Sequence, residues 1–473
     1  MAQQSSQQPW CLASRSAMVG MGFECMDNKI YKREEISMDK INKTEQEIKD
    51  LANGDAFCIL PWLHIHPWPD GRVFTCCLSE QHTPIGDLNK MDLDEVYNSD
   101  DMKKIRLDML NNKKHSNCNR CYELESLGHN TLRKRSNDDF IFEKDNLNPP
   151  RIDVVQSTDQ DGHVEDIHLT YLDIRFSNIC NMRCRTCGPD LSSLWFQDAV
   201  DSEYNRTPDE AIKQIRKGNT GFMDQFDPYI HTIEKIYWAG GEPLIMDEHW
   251  YIMNKLVEMG RTKREDPIRI FYNTNFSKLT YKEEDAIELW KNFDDVSIGA
   301  SLDASGKKAE YLRKGTIWSN TLENRERLKN EIPHHDFNIS CTVSMFNVLD
   351  VCSFYREMCD IGFIEPKDFG VNILLGKENH RATVLPKHLR QEAQRQISET
   401  LKWIEGKDTV GRATQTFESL LQFMDGDDTH LLSASMQEAK EMDRFRAEDL
   451  FQVFPELEDL RPWYEDGDYR GED

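Results

Sequence analysis

Cys180, Cys184 and Cys187 stand at Cys-x3-Cys-x2-Cys spacing in the run CNMRCRTC. Three thiolates so close along the chain can hold three corners of a cubane iron-sulfur cluster, which ordinarily takes four cysteine ligands. With no fourth cysteine nearby, one iron keeps an open position, as catalytic metal sites do. The same spacing also fits a structural zinc knuckle, because Cys-x2-Cys pairs recur in zinc sites.

The chain has thirteen cysteines in 473 residues. Without a basic n-region and an apolar h-region in MAQQSSQQPWCLASRS, they argue for metal or redox chemistry in a reducing compartment rather than a disulfide framework. The expected location is the cytoplasm. No stretch approaches the roughly 18 apolar residues of a spanning helix, so no membrane association is expected. Lys and Arg number 58 against 84 Asp and Glu. That balance repels a nucleic-acid backbone and disfavours extended polynucleotide binding. The acidic stretch PWYEDGDYRGED reads as a solvated tail.

Most cysteines fall at residues 58 to 121 and 180 to 187, while Cys11, Cys25, Cys341, Cys352 and Cys359 are scattered and read as small core residues or incidental thiols. The first thirty residues lack periodicity and read as a loose arm. A surface helix is predicted between Arg33 and Leu51, and residues 136–166, with IDVVQ and HVEDI flanking Asp159-Gln160-Asp161-Gly162, read as a linker or hairpin. Beyond it six short apolar runs, HLTYLDIRFS, KIYWAGGEP, RIFYNTNFS, DVSIGASLDA, FNISCTVSM and FGVNILL, alternate with helical stretches. This is the pattern of a parallel α/β sheet, and six units are too few for a closed eight-stranded barrel, so a partial (β/α)6 barrel is predicted. From about Leu385 the pattern is helical.

Side chains two apart in a strand share a face. Asp173, Arg175 and Ser177 do so, as do Asn273 and Asn275, Ser301 and Asp303, and Ser340, Thr342 and Ser344. Unless these strands are slipped or lie at an edge, their polar faces line a ligand-sized lumen. Gly240-Gly241-Glu242-Pro243 follows the second strand directly, where α/β folds gather ligand contacts and where glycine lets backbone approach a ligand, although such a run can equally be a plain turn.

Taken together, CNMRCRTC, GGEP and SLDA resemble the radical SAM superfamily. The resemblance implies a 4Fe-4S cluster on Cys180, Cys184 and Cys187 whose open iron takes the amino and carboxylate end of S-adenosylmethionine. It implies further cofactor contacts from Gly240, Gly241, Glu242 and Pro243, with Glu242 receiving the methionyl ammonium, and from Asn275, Ser301, Asp303 and Arg313. A guanidinium fork such as that of Arg313 suits a carboxylate. Thr186 stands where the family usually has an aromatic residue, and Ala304 where a Gly usually follows Ser-x-Asp.

Upstream, FCILPWLHIHPWPDGRVFTCCLSE and SNCNRCYEL resemble the SPASM or twitch module, implying an auxiliary 4Fe-4S cluster on Cys58, Cys76 or Cys77, Cys118 and Cys121. Cys76 fits the family spacing better, and only one of two adjacent strand residues can face the cluster. Four thiolates also suit a structural zinc. The module usually follows the barrel and here precedes it. His64 and His66 share a strand face beside Trp62 and Trp68, which fits metal ligation or plain packing.

The expected organisation is an arm and helix over 1–50, the auxiliary iron-sulfur domain over 51–135, the linker over 136–166, the radical SAM partial barrel over 167–385 and a helical region with acidic tail over 386–473. The resemblance implies an enzyme that reductively cleaves S-adenosylmethionine to a 5′-deoxyadenosyl radical and abstracts a substrate hydrogen. A ferredoxin- or flavodoxin-like protein would supply the electron. A peptide or protein substrate leads, with a small metabolite as the alternative; a non-catalytic zinc or iron-sulfur scaffold is the reading from another class. No side chain beyond the cofactor contacts stands out as catalytic.

Overall fold

The period-two pattern of the six apolar runs resolves into one parallel sheet. The computed structural model describes residues 39–126, 130–142, 150–202, 210–215, 221–262 and 268–467, with the backbone of 23–26 and 29–32. The strands are β1 (Tyr171–Leu172), β2 (Lys235–Trp238), β3 (Arg269–Thr274), β4 (Val296–Ala300), β5 (Asp336–Val343) and β6 (Phe369–Ile373). They lie side by side in chain order, every pair parallel. β1 and β6 each pair on one side only, so the sheet is open between them, as six βα units predict.

One face is apolar: Ile236, Trp238, Ile270, Tyr272, Ile298, Ile339, Val343 and Phe369 are buried. It packs beneath the crossover helices Asp247–Glu258, Trp318–Glu331 and Val351–Asp360. The alternating residues Tyr237, Phe271, Asn273, Ser297, Asn338, Ser340 and Thr342 are only half-buried and mostly polar. Hydrophobic burial drives the first face inward, and the second stays half-buried as the sheet's polar face.

Ahead of the sheet lie the small antiparallel strands His66–Pro67, Arg72–Phe74 and Gly86–Asp87; of the first cysteine group, Cys58 precedes them, Cys76 and Cys77 occupy the turn after Phe74, and Cys118 and Cys121 lie in the 3-10 turn Ser116–Cys118 and the helix Asn119–Ser126. Three expectations are corrected here. Among the described residues the helix predicted between Arg33 and Leu51 starts at Glu45, because Thr44 caps it: its hydroxyl accepts from Glu47 N, and the Glu47 carboxylate accepts from Thr44 N at 2.7 Å. IDVVQ is not a hairpin strand but a short helix, Ile152–Gln156, whose Ile152, Val154 and Val155 are buried in the module's core. A hairpin strand would have turned half of those apolar residues outward, and tertiary burial overrides their β propensity. The Asp159–Gly162 turn does form, with Gly162 at φ +91° and its N–H donating to Asp159 O. Within the arm read as unpatterned, Phe23–Met26 and Lys29–Lys32 pair antiparallel. The rest of that arm with Cys11, the side chain of Cys25 and residues 468–473 of the acidic tail lie outside the described residues.

The C-terminal helices settle against the cysteine run that follows β1. Arg185, fully buried between Cys184 and Cys187, donates to Asp443 and, at 2.7 Å, to Glu448, with its guanidinium 3.6 Å from the Tyr311 ring centroid. Asp443, in the helix Leu432–Arg446, also accepts from Tyr311 Oη, Tyr464 Oη and Leu450 N. Arg446 donates to Asp198, which in turn takes Arg183. Breaking a buried ion pair from one side leaves an uncompensated charge. Asp443→Ala should therefore destabilise the fold by about 3–5 kcal/mol, read as a lower denaturation midpoint. An unchanged midpoint would mean that Glu448 and Tyr311 hold the guanidinium without it.

Candidate cofactor and active site

Cys180, Cys184 and Cys187 lie beyond the C-terminal end of β1, half-buried. Cys184 is held by both flanks: Arg183–Cys184 pairs antiparallel with Arg313–Lys314, and Trp195 Nε1 donates to Cys184 O at 2.9 Å. Burial pushes all three thiols up, Cys187 to about 12, and each feels a neighbouring cysteine or acid. At Cys184 the Arg313 guanidinium, 3.8 Å from Sγ, opposes the rise.

Gly240 to Pro243 leave the C-terminal end of β2 and press on this run. A Cβ on Gly241 would sit 2.1 Å from the Ile179 carbonyl oxygen, so only glycine fits; Gly240 has φ +124°. Glu242 N donates to Ile179 O at 2.8 Å. The Glu242 carboxylate is fully buried and accepts from Leu244 N, Thr274 Oγ1 and Asn275 N. Those bonds take three of its roughly four lone-pair positions, which leaves one for a ligand donor. Burial raises its pKa to about 7. Pro243 opens the 3-10 turn that follows.

The other residues singled out in the sequence gather at the same edge of the sheet. Asn275, just past β3, donates to Asn181 of the cysteine run at 2.8 Å. Ser301, just past β4, is half-buried, its N–H bonded to Thr274 O. Arg313 is not a helix arginine: it makes a bidentate pair with buried Asp303, 2.7 and 2.9 Å, and points its remaining nitrogen at Cys184. Asp303 also accepts from Thr342 N.

The module gathers a second set of thiols. Cys58, Cys76, Cys118 and Cys121 are buried or half-buried, and burial raises each thiol, Cys118 to about 12. Cys58 feels Cys118 and Cys121, and Cys76 feels Cys118 and Cys58. Cys77 turns the other way, toward Asp173 and Arg175. It lines a cavity of about 650 Å³ with Arg135, Asp139, Lys235, Tyr237 and Arg269, near the strands' N-terminal ends.

Among the described residues no three cysteine thiols lie within 4.8 Å of one another. Four thiolates about 2.3 Å from one tetrahedral zinc are only about 3.8 Å apart, closer together than any three of these thiols. Cluster binding must strip protons from these raised thiols, and cations stand ready at both: Arg313, Arg446 and Lys377 at the barrel set, Arg133 at the module set. Sequence reasoning missed Arg185, Asp198, Asp443 and Arg446, because a partner 258 residues away, as Asp443 is from Arg185, leaves no local pattern.

The family model described as an iron-sulfur cluster-binding domain, SPASM, matches residues 58–122, and that of the radical SAM superfamily matches residues 174–348. No curated protein matches the chain. Among solved structures, the sulfatase-maturating enzyme anSMEcpe with bound AdoMet is 19% identical over 50% of this chain and 57% of that one, with a TM-score of 0.35. The same enzyme with AdoMet and the Cp18Cys peptide is 17% identical over 50% and 59%, with a TM-score of 0.33. The matched part thus spans less than two thirds of those structures. With one family model on each cysteine group, the chain carries a radical SAM superfamily domain over residues 174–348 and, ahead of it, an iron-sulfur cluster-binding SPASM domain over residues 58–122, domains that imply a 4Fe-4S cluster, S-adenosylmethionine and an auxiliary iron-sulfur cluster.

Proposed function

We propose that the protein is a radical-generating enzyme that abstracts a hydrogen atom from a peptide or protein substrate. The observation that carries the reading is the meeting, at one edge of the sheet, of Cys180, Cys184 and Cys187 with the Gly240–Glu242 backbone and Arg313. The three cysteines hold a 4Fe-4S cluster, whose electron cleaves S-adenosylmethionine to methionine and a 5′-deoxyadenosyl radical. Gly240 and Gly241 keep backbone close enough to bind the methionyl end, and Glu242 offers its one free lone-pair position to the ammonium. Asn275 and Ser301 supply polar groups to the ribose, and Asp303 orients Arg313 beside the cluster ligand Cys184.

The substrate class rests on the SPASM module, which the family often uses on peptides, and on the cavity that Cys77 lines. Its lining combines the apolar Leu78, Leu132, Tyr171 and Phe271 with Asp139 paired to Lys235 and Arg269, a mixture that suits a peptide segment carrying both apolar side chains and amide groups. Any such enzyme needs a one-electron donor, here of the ferredoxin or flavodoxin type. Among the described residues no helix is long and apolar enough to cross a membrane.

The deciding measurement is 5′-deoxyadenosine released by anaerobically reconstituted protein given S-adenosylmethionine and a strong reductant. The native chain should form it and Cys184→Ala should not; a fully iron-loaded native protein that forms none would sink the proposal. Iron content tests the module. Cys76→Ala should carry roughly four fewer irons per chain than native protein, whereas Cys77→Ala should keep them all; the reverse result would exchange the two roles.

A further inference from the structure

The module's first strand meets β1 along a polar seam. Arg175 N donates to Pro67 O at 3.0 Å. His64 Nδ1 lies 2.9 Å from the Tyr171 carbonyl oxygen, and His66 Nδ1 2.8 Å from that of Asp173. A carbonyl oxygen only accepts, so each Nδ1 carries the ring proton and each Nε2 keeps its lone pair. At His64 this is the tautomer in which histidine binds a metal through Nε2 while Nδ1–H is fixed by a neighbouring acceptor.

His64 and Asp173 are each 1% exposed. Among the described residues His64 Nε2 has no hydrogen-bond partner, while the Asp173 carboxylate is faced by the Cys77 thiol and the Arg175 guanidinium. Arg175 Nη2 stands 3.1 Å from Asp173 Oδ1, while Oδ2 turns toward His66, 3.5 Å from its Nδ1. Ligand atoms of His64, His66 and Asp173 all lie within 4.8 Å of one another, a spacing that one ion can bridge and that none of the cysteine sets shows.

We propose that His64, His66 and Asp173 form a mononuclear site for a divalent first-row transition ion, distinct from both iron-sulfur sites, that pins the auxiliary module to the first strand of the sheet. Two imidazole nitrogens and one carboxylate oxygen suit Zn²⁺ or Fe²⁺ rather than Mg²⁺ or Ca²⁺, which prefer oxygen alone. The two histidines come from the module and the aspartate from the end of β1, so the ion ties together segments 107 residues apart. Arg175 holds one carboxylate oxygen and leaves the other to the ion, the orienting role that a ligating carboxylate needs.

Zn²⁺ is the probe, because its X-ray absorption edge is read separately from that of cluster iron. Native holoprotein with both clusters reconstituted is incubated anaerobically with Zn²⁺, freed of excess, and measured for zinc per chain and for the zinc ligand shell. The proposal expects about one zinc per chain with a nitrogen and oxygen shell at about 2.0–2.1 Å. His64→Gln and Asp173→Asn should each lose more than about tenfold in zinc affinity at native iron content. No zinc on the native protein, an all-sulfur shell at about 2.3 Å, or undiminished zinc in both folded variants would each overturn it. Should the variants fail to fold, the native ligand shell decides alone.

Discussion

Thiolates crowded together inside protein are the state on which both iron-sulfur sites depend, and burial alone opposes it. Every cysteine of the two sets has its thiol raised, first by desolvation and then by other acidic groups. Positive charge must therefore be brought in by the protein, and the fold does so with guanidiniums and a lysine that are themselves half or fully buried. Each of these needs an acid in turn: Arg313 takes Asp303, Arg446 takes Asp198, Lys377 takes Glu438 and Arg133 takes Glu125. The dense ion pairing around the cysteine run is thus a consequence of the cofactor. Such pairs add little net stability, yet removing either partner is costly, which makes the surroundings of the cluster intolerant of change far beyond its ligands.

The second constraint is chain order. The SPASM domain precedes the barrel, so the module must feed its chain into the sheet at β1, an edge strand of only two paired residues. An edge presents unpaired backbone groups. Here the segment His64–Pro67 covers them, taking the carbonyls of Tyr171 and Asp173 with imidazoles and the N–H of Arg175 with the Pro67 carbonyl. The short helix Ile152–Gln156 and Trp62, bonded to Thr158, lock the connecting segment onto the module. What reads in the sequence as a linker is a packed joint.

The sequence made the sheet legible because a strand's period of two separates apolar from polar positions cleanly: all six runs became strands, in order. The cysteine run was legible because its three members are neighbours in the chain. Long-range partners were not. Arg185 sits inside the most informative motif of the protein, but Asp443 lies in a helix and Glu448 in the loop after it, and neither helical periodicity nor loop composition says what they touch. Local propensity misled at IDVVQ, where β-branched residues form a helix because that turns them into the core. Glu242 was legible as a motif residue; that protein donors already occupy most of its carboxylate emerges only when β3 is folded beside it.

Cys76 and Cys77 show how adjacent identical residues acquire unlike surroundings. The strand Arg72–Phe74 has ended before them, so the bend and turn that follow it, and not strand alternation, direct Cys76 to the other module thiols and Cys77 to Asp173 and the cavity. Burial and the nearby Asp173 carboxylate push the Cys77 thiol up to about 12, so it faces the cavity as a neutral thiol. The wall between that cavity and the auxiliary thiols is consequently one residue thick. A substrate held against Cys77 would be as close to the auxiliary site as a single peptide unit allows, while the polar face of the sheet, from Tyr237 to Asn273, which are hydrogen-bonded to each other, leads from the cavity toward the cysteine run at the opposite end.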